Sequence, residues 1–270
     1  MTDYALPPGG LPPQTALTTG RAIFTEAFAV IPRGVLTDIV TSLFPGWSDT
    51  RGWILARPLS GFAETFCQIL MEVAPGGGAD VPEPEAVAQG AYFVMDGALT
   101  LTLEGEARTL AAGGFAYIPP GSRYSVENAG NTPARFHWIR KRWVDAGLAR
   151  PDPVFTSDQD VAPTPMPGTD AWATTRFIDP ADFRHDMHVN VVSFASGGAI
   201  PFAETHVMEH GLYILEGKGV YRLNDVWVEV EAGDYLWLRA FCPQACYAGG
   251  PGPFRYLLYK DVNRLPGLTL

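Results

Sequence analysis

Short segments of alternating apolar and polar residues, closed by Gly, Pro, Asn or Asp, dominate the chain. The segment 91–126, AYFVMDGALTLTLEGEARTLAAGGFAYIPPGSRYSV, predicts three strands joined by two turns, and its ALTLTL has the period of two typical of a strand. The segment 211–247, GLYILEGKGVYRLNDVWVEVEAGDYLWLRAFCPQACY, repeats this scheme, and its LND is a candidate hairpin turn. The pattern therefore predicts an all-β protein.

Glycines at the predicted turns indicate that this β unit is duplicated. Three pairs are separated by the same 120 positions: Gly78 and Gly198, Gly97 and Gly217, and Gly113 and Gly233. A repeat at one fixed spacing is the sequence signature of a repeated structural unit.

A proline-rich segment separates the two halves. Residues 149–172, ARPDPVFTSDQDVAPTPMPGTDAW, contain five prolines and little apolar periodicity, which is typical of a linker. We therefore expect an amino-terminal domain over residues 1–148, a linker over 149–172 and a carboxy-terminal domain over 173–270.

Composition supports a globular β protein and excludes some partners. With 270 residues and 47% hydrophobic residues the chain can bury one large core or two ordinary ones, and its 29 Gly and 24 Pro suit many tight turns. A formal charge of −10 and a pI near 4.9 argue against nucleic acid or anionic membrane as a partner. The basic run at residues 140–142, RKR, is interpreted as a solvated strand end rather than a phosphate site.

Cysteine usage and the amino terminus predict a cytoplasmic protein. Cys67, Cys242 and Cys246 form no C-x-x-C pair, as in a reducing compartment, and we interpret Cys242 and Cys246 as small buried residues. The first residues, MTDYALPPGGLPPQTAL, have no basic stretch followed by an apolar run, and no apolar segment approaches 18 residues.

The segment 204–217, ETHVMEHGLYILEG, gathers two of the five histidines with a carboxylate: Glu204, His206 and His210. A polar edge strand facing water is the simplest alternative to a functional cluster. His185 and His188, in FRHDMHVNVVSF, have a similar spacing but precede this segment, and we interpret them as surface or packing histidines.

The second half resembles the cupins, whose two motifs are G-x5-H-x-H-x3,4-E-x6-G and G-x5-P-x-G-x2-H-x3-N. Its first motif keeps the family spacing from Gly198 through to Gly217, and Gln244 occupies the place of the second motif's histidine. The resemblance implies a bicupin, two jelly-roll β-barrels in one chain. It also implies a metal-ligand set in which Glu204, His206, His210 and Gln244 replace the usual His, His, Glu and His.

This ligand set predicts the kind of metal. Residues 204 and 206 of a strand point to one face, and a small barrel would bring His210 and Gln244 to the same interior point. A carboxylate, two imidazoles and an amide oxygen suit an octahedral divalent ion such as Mn²⁺ with open positions, more than a closed structural zinc site.

The first half lacks this chemistry. At the offset of 120 the four ligands correspond to residues that cannot chelate a metal: Pro84, Ala86, Gly90 and Tyr124. The second cupin motif persists there at Gly113, Pro119, Gly121 and Asn128. We therefore interpret the amino-terminal barrel as structural, supporting packing or assembly, and we expect a homo-oligomer.

The order Glu-x-His-x3-His with Gln last resembles the (S)-ureidoglycine aminohydrolase family. The resemblance extends from residues 20–58 to 254–264, and its most specific pieces are ETHVMEHGLYIL, GDYLW, CPQACY and YKD. It implies Mn²⁺-dependent conversion of a small anionic ureide, (S)-ureidoglycine, to (S)-ureidoglycolate and ammonia in purine and allantoin catabolism.

The same resemblance implies substrate contacts by Tyr221, Gln244, Tyr256 and Lys260, with Glu204 and Lys260 as catalytic residues. Positions 256, 258 and 260 share one face of a strand, so an inward Lys260 would complement an anion. The structural alternatives are a snorkelling strand-end lysine for Lys260 and core aromatics for Tyr221 and Tyr256.

Two other functions are consistent with the motifs. A bicupin oxygenase or isomerase using Fe²⁺ or Mn²⁺ would consume oxygen or rearrange its substrate rather than release ammonia. A non-catalytic binding or storage bicupin would respond to metal removal only in its stability, but this hypothesis does not explain why ligands persist in one half alone.

Overall fold

The computed structural model of the protein describes residues 20–37, 40–58, 63–262 and 264–265. Regular structure in these ranges is almost entirely β, with a short 3-10 turn at Arg33–Val35, which confirms the predicted all-β class. In the described part, no helix is both long and apolar enough to cross a membrane. The segment MTDYALPPGGLPPQTAL lies outside the described residues.

The strands are numbered in chain order. Those of the first part are β1 (Ile23–Phe24), β2 (Phe28–Ile31), β3 (Ser48–Ala56), β4 (Cys67–Ala79), β5 (Ala88–Asp96), β6 (Ala98–Leu103), β7 (Glu106–Ala111), β8 (Gly114–Ile118), β9 (Tyr124–Glu127), β10 (Ala134–Arg142) and β11 (Val154–Ser157). Those of the second part are β12 (Thr164–Pro165), β13 (Trp172–Arg176), β14 (Met187–Phe194), β15 (Ala199–Glu204), β16 (His210–Glu216), β17 (Lys218–Leu223), β18 (Val226–Glu231), β19 (Tyr235–Leu238), β20 (Gln244–Tyr247) and β21 (Phe254–Asp261).

The first barrel is one antiparallel sheet in the order β11-β8-β5-β10-β4-β9-β6-β7, with β3 added beside β4. The segment 91–126 forms five strands, β5 to β9, rather than the three predicted, and ALTLTL is β6. In the second barrel, a sheet β1-β2-β19-β16-β21-β14-β13-β12 faces a sheet β15-β20-β17-β18. The predicted hairpin turn there is Asn224–Asp225 between β17 and β18, with Asn224 at φ 56°.

The duplication is visible in the turn glycines themselves. Gly97 and Gly217 both have positive φ, 72° and 80°. A Cβ at Gly97 would clash with the carbonyl oxygen of Pro133, and a Cβ at Gly217 with that of Pro253, again 120 positions away. Both turns therefore need glycine for the same steric reason.

Strands β1 and β2 belong to a sheet of the second barrel, although they precede the first barrel in the chain. β2 pairs with β19, placing Val30 opposite Leu236 in the second barrel, and β11 pairs with β8 of the first. Residues 23–31 thus extend a sheet of the second barrel, and the proline-rich segment 149–172 contributes an edge strand to each. The chain crosses between barrels twice, which ties them together through backbone hydrogen bonds.

Three apolar cores result from the alternation of side chains along the strands. An interface core between the barrels includes Leu257 and Tyr259, whereas the interior core of the second barrel includes Tyr256 and Leu258. The first barrel has its own interior core. Because alternate residues face opposite sides, β21 is buried on both faces. Its even-numbered residues, Lys260 among them, point into the second barrel.

The interpretation of RKR as a solvated strand end is wrong for two of its residues. The Arg140 guanidinium donates to Glu83 through Nε at 2.7 Å. The ammonium of Lys141 is 2.7 Å from Asp261 and 3.4 Å from Asp186, and its side chain is only 9% exposed. The Lys141 pairs link the first barrel to the second, and the Arg140 pair lies within the first barrel, so both charges are structural.

Asp234 contacts the residues that flank β1 and β2, so we expect it to contribute strongly to the stability of the protein. Its buried carboxylate pairs with Arg21 and accepts from the backbone N–H groups of Arg33 and Glu231 at 3.0 and 2.9 Å. Asp234→Ala is expected to lower the free energy of unfolding by about 2–3 kcal/mol, because these donors lose their acceptor while the part-exposed Arg21 regains water. Urea denaturation measures it. The exposed Asp225→Ala is the control, and equal midpoints for both variants would contradict the assignment.

Candidate metal and substrate site

Four chain segments of the second barrel meet at the candidate ligands. Glu204 ends β15 and lies directly opposite Gln244, which begins β20. His210 begins β16, and His206 lies in the turn between β15 and β16. The resemblance placed these residues together, and the strand register brings them to one end of the barrel.

The two histidines and the amide form the tightest part of this cluster. The rings of His206 and His210 stack with centroids 4.6 Å apart and planes at 20°. Nε2 of His206 is 3.3 Å from Nε2 of Gln244. Rotation of this carboxamide by half a turn would place its oxygen at the same point, where it could share a cation with the imidazoles.

Glu204 stands apart from the histidines. In the part of the chain that the structure describes, no group of three or more His, Cys, Asp and Glu side chains is arranged to hold a metal ion. Glu204, His206 and His210 therefore do not converge together on one point. Glu204 is half-buried at the strand end, so its side chain has room to turn toward the pair.

The hydrogen bonds of His210 favour metal binding. Its Nδ1 lies 3.0 Å from the carbonyl oxygen of Met208, so Nδ1 carries the proton and Nε2 keeps its lone pair. Burial, together with the positive charge that His206 can carry, lowers the pKa of His210 to about 3. His210 is therefore a neutral imidazole with a free nitrogen. His206 in turn has a buried Nδ1 with no hydrogen-bond partner among the described residues.

The turn that holds His206 is fixed by backbone contacts. The N–H of Phe241 donates to the carbonyl oxygen of His206 at 2.8 Å, and the hydroxyl of Thr205 donates to that of Phe241 at 2.9 Å. Phe241 has φ 64°, an uncommon conformation for a non-glycine residue. The loop before β20 thus positions both His206 and Gln244.

The side chain of Glu209 points away from the candidate ligands. It connects this cluster to the segment of the chain that precedes β4 of the first barrel. Its carboxylate accepts from the N–H groups of Glu64 and Thr65 at 2.7 and 2.9 Å, and from the Thr65 hydroxyl and the Trp237 indole at 2.6 Å each. These donors satisfy a carboxyl group that is only 4% exposed. Glu209 therefore positions its neighbour His210.

Tyr221 and Tyr256 lie together in the interior core. The Tyr221 hydroxyl donates to that of Tyr256 at 3.3 Å, and the rings meet edge to face. Burial raises the pKa of both phenols well above the ordinary value, and the negative charge of Glu204 raises it further. Both are core aromatics whose hydroxyls lie within electrostatic reach of Glu204.

Lys260 lies beside His210 on the adjacent strand, since β16 and β21 pair these two residues. The side chain is half-buried on the inner face rather than extended from a strand end. Burial lowers its pKa, Arg176 lowers it further, and Glu204 raises it. The lysine is therefore within electrostatic reach of both a cation and the candidate carboxylate.

The first barrel has an instructive counterpart of Lys260. Arg140 lies 120 positions earlier and pairs with Gly90 as Lys260 pairs with His210. Its guanidinium is neutralised by Glu83, a carboxylate whose side chain is 6% exposed. The remaining cavity beside Gly90 and Tyr124 is only about 20 Å³. The first barrel therefore has little open volume at this position.

The sequence interpretation missed His188 and Arg176. His188 is buried and pairs across strands with Lys260, so it is neither a surface residue nor part of the interface core. The signal was present in MHVNVVSF, where His188 and Asn190 alternate with apolar residues. His185 is buried too, and it packs edge to face on Tyr117 at 4.6 Å.

Cys242 and Cys246 are buried, as expected. Cys242 and Cys246 belong to the interior core of the second barrel. Burial raises the pKa of both thiols, so neither is activated as a nucleophile.

Comparison with known proteins identifies the family. A family model for the cupin domain matches residues 69–140 and again residues 190–259. (S)-ureidoglycine aminohydrolase from Escherichia coli is 32% identical over 92% of this chain and 94% of the relative. The chain is a bicupin of the (S)-ureidoglycine aminohydrolase family.

Further relatives of this bicupin span most of its length. The (S)-ureidoglycine aminohydrolase of Arabidopsis thaliana is 31% identical over 84% of this chain and 74% of the relative. A crystal structure described as a glyoxylate-induced protein from Pseudomonas aeruginosa superimposes with a TM-score of 0.89, at 59% identity and full coverage of both chains.

The hydrogen bonds accepted by the Glu209 carboxylate predict that a glutamine at position 209 would destabilise the bicupin. Glu209→Gln replaces one acceptor oxygen by an NH₂ group that faces donors, so we expect a loss of about 2–3 kcal/mol in unfolding free energy. Because His210 would lose its support, divalent-metal affinity should fall about 10- to 100-fold. Thermal unfolding and metal titration measure both effects. Glu216→Gln, at the exposed end of the same strand, is the matched control. Indistinguishable results for the two variants would show that Glu209 does not position His210.

Proposed function

We propose that this bicupin is a Mn²⁺-dependent (S)-ureidoglycine aminohydrolase. The reaction would convert (S)-ureidoglycine to (S)-ureidoglycolate and ammonia in purine and allantoin catabolism. The observation that carries the proposal is the agreement of curated relatives, which bear this name at 31–32% identity, with the Glu204, His206, His210 and Gln244 set.

The residues fit a divalent metal by their chemistry. His206 and His210 would supply two nitrogen ligands, and Gln244 and Glu204 two oxygens, which is the mixed set that Mn²⁺ accepts. A bound Mn²⁺ would act as a Lewis acid and a template with open coordination positions.

The remaining chemistry falls to the side chains around the cluster. The substrate carbon bears carboxylate, ureido and amino groups. Hydrolysis forms a bond from water oxygen to that carbon and breaks the bond to the amino nitrogen, which leaves as ammonia. Glu204 would take a proton from the water at its carboxylate oxygen and return it to the leaving amino nitrogen, which departs as ammonia. Lys260 would hold the substrate carboxylate through its positive charge.

The tyrosine pair would define the inner end of the substrate pocket. The hydroxyls of Tyr221 and Tyr256 stay protonated because burial raises the pKa of both phenols. They can donate hydrogen bonds to a polar group such as the ureido carbonyl, which specifies a substrate with an acceptor at that end.

The activity is tested directly by ammonia release from freshly generated (S)-ureidoglycine. Metal-loaded protein should exceed the spontaneous rate, and Glu204→Ala, His206→Ala and His210→Ala should each lose the metal and nearly all turnover. The fold should survive, because the first barrel folds with Pro84, Ala86 and Gly90 at these places.

Elemental analysis and circular dichroism on the same preparations provide the checks. Glu216→Ala is the control for loss of a carboxylate from this barrel. Full metal content in the three ligand variants would refute the ligand assignment, and a wild-type rate equal to the spontaneous rate would refute the activity.

The role of Lys260 is tested by charge removal. Lys260→Met should retain the metal but reduce kcat/KM about 10²- to 10³-fold, because a partly desolvated contact with the substrate carboxylate is lost. Lys260→Arg should not restore activity, since a planar guanidinium is wider than an ammonium. Steady-state kinetics with metal analysis decide the question, and near-wild-type turnover in Lys260→Met would remove the residue from the site.

A further inference from the structure

Three basic side chains occupy adjoining positions on one wall of the second barrel. Cross-strand pairing places His188 beside Lys260 and Lys260 beside His210. In the next row of the same sheet, Arg176 pairs with Asn190, and Asn190 with Leu258. Residues paired across strands share a face of the sheet.

This wall faces the interior of the barrel. Leu258 and Leu212 of the second row belong to the interior core, together with Tyr221 and Tyr256. Arg176 in the same row is half-buried at the end of β13. The guanidinium is therefore on the side of the sheet that carries Lys260 and His210.

Both long cations on this wall lack a partner. Within the described ranges, neither Lys260 nor Arg176 makes a hydrogen bond or an ion pair. Other arginines of this barrel are engaged: Arg255 pairs with Asp158 at 2.7 Å and Arg239 with Glu64 at 2.9 Å. Two unpaired cations on a partly desolvated wall are unfavourable unless an anion joins them.

Arg176 and Lys260 also lie within electrostatic reach of each other. After burial, the positive charge of Arg176 is the strongest influence that lowers the pKa of Lys260. The pKa of His188 is lowered in the same way, first by burial and then by the positive charge of Lys260, with Arg176 also contributing. Glu204 is the acid that acts on Lys260. It is also a candidate metal ligand, so its charge is needed elsewhere.

We propose that Arg176 and Lys260 bind the same substrate carboxylate, with Arg176 as a second and previously unassigned recognition residue. The proposal rests on the proposed function for the identity of the anion. A guanidinium can engage both oxygens of a carboxylate, whereas an ammonium acts as a point charge. The pair would thereby fix the orientation of the carboxylate as well as attract it.

The first barrel shows that this position takes a carboxylate. Arg140, the counterpart of Lys260, is held by Glu83 with an Nε to Oε2 distance of 2.7 Å. The first barrel thus supplies its own anion at the place where the second barrel leaves two cations without one. The same wall position is satisfied by a side chain in one barrel and would be satisfied by substrate in the other.

The test uses an unreactive analogue. N-carbamoylglycine keeps the carboxylate and the ureido group but has no amino group to release, and its amide lacks the negative charge. Metal-loaded wild type, Arg176→Met and Arg222→Met are each titrated calorimetrically with N-carbamoylglycine and with its amide. The difference in affinity between the two compounds gives the contribution of the carboxylate charge to binding. Arg222 is the control because it lies in the same barrel and donates to the carbonyl oxygen of Asn224 at 3.2 Å.

We expect Arg176→Met to weaken binding of N-carbamoylglycine at least about 10-fold, with unchanged metal content and unchanged affinity for the amide. Arg222→Met should bind both compounds as wild type does. In kinetics with (S)-ureidoglycine, Arg176→Met should raise KM more than it lowers kcat. Arg176→Gln is measured in parallel, so that a folding failure of one variant does not decide the result.

Two failures are distinguishable. Equal binding of N-carbamoylglycine by wild type and both Arg176 variants, in protein that releases ammonia from (S)-ureidoglycine, would overturn the role of Arg176 alone. Wild type that neither releases ammonia nor binds the analogue would overturn the proposed function. An equal loss of affinity for the analogue and its amide would show that Arg176 acts through packing, which also overturns the proposal.

Discussion

The burial of both faces of the strands between the barrels governs the rest of the structure. In β14, β16, β19 and β21, alternate residues enter the interface core and the interior core of the second barrel. Strands covered on both sides leave few places where a polar side chain reaches water. A charged residue on the inner face must therefore meet a counter-charge, a metal or a ligand. Because of this constraint, the position of Lys260 on the inner face is itself an indication of function.

The same packing explains why a barrel without ligands is retained. The carboxylate of Glu209 is held by backbone N–H groups at Glu64 and Thr65, which precede the first barrel's strand β4. Lys141 of the first barrel likewise pairs with Asp261, next to Lys260. The first barrel thus fixes both sides of the candidate site, at His210 and at Lys260. Loss of its own metal ligands did not remove this supporting role.

Sequence periodicity and spacing were sufficient for the fold class and the duplication, whereas the ligand set follows from the family resemblance and stays a prediction. The period of two in ALTLTL corresponds to β6, and the offset of 120 reappears in the paired turns at Gly97 and Gly217. The sheets that β2 and β11 join were not predictable, because strand alternation indicates which residues are buried but not which sheet receives them. The orientation of Glu209 depended on the same missing information, since its donors lie about 145 positions earlier in the chain.

The two barrels represent two solutions to one electrostatic problem. A cation on the inner face next to the first residue of the ligand strand is costly to desolvate, at position 140 as at position 260. In the first barrel Glu83 neutralises Arg140, and the cavity beside Gly90 is only about 20 Å³. In the second barrel Ala203 stands at the position of Glu83, and Arg176 adds a second cation. Under the proposed function, the replacement of a fixed internal carboxylate by unpaired positive charge would make the second interior a receptor for an anion.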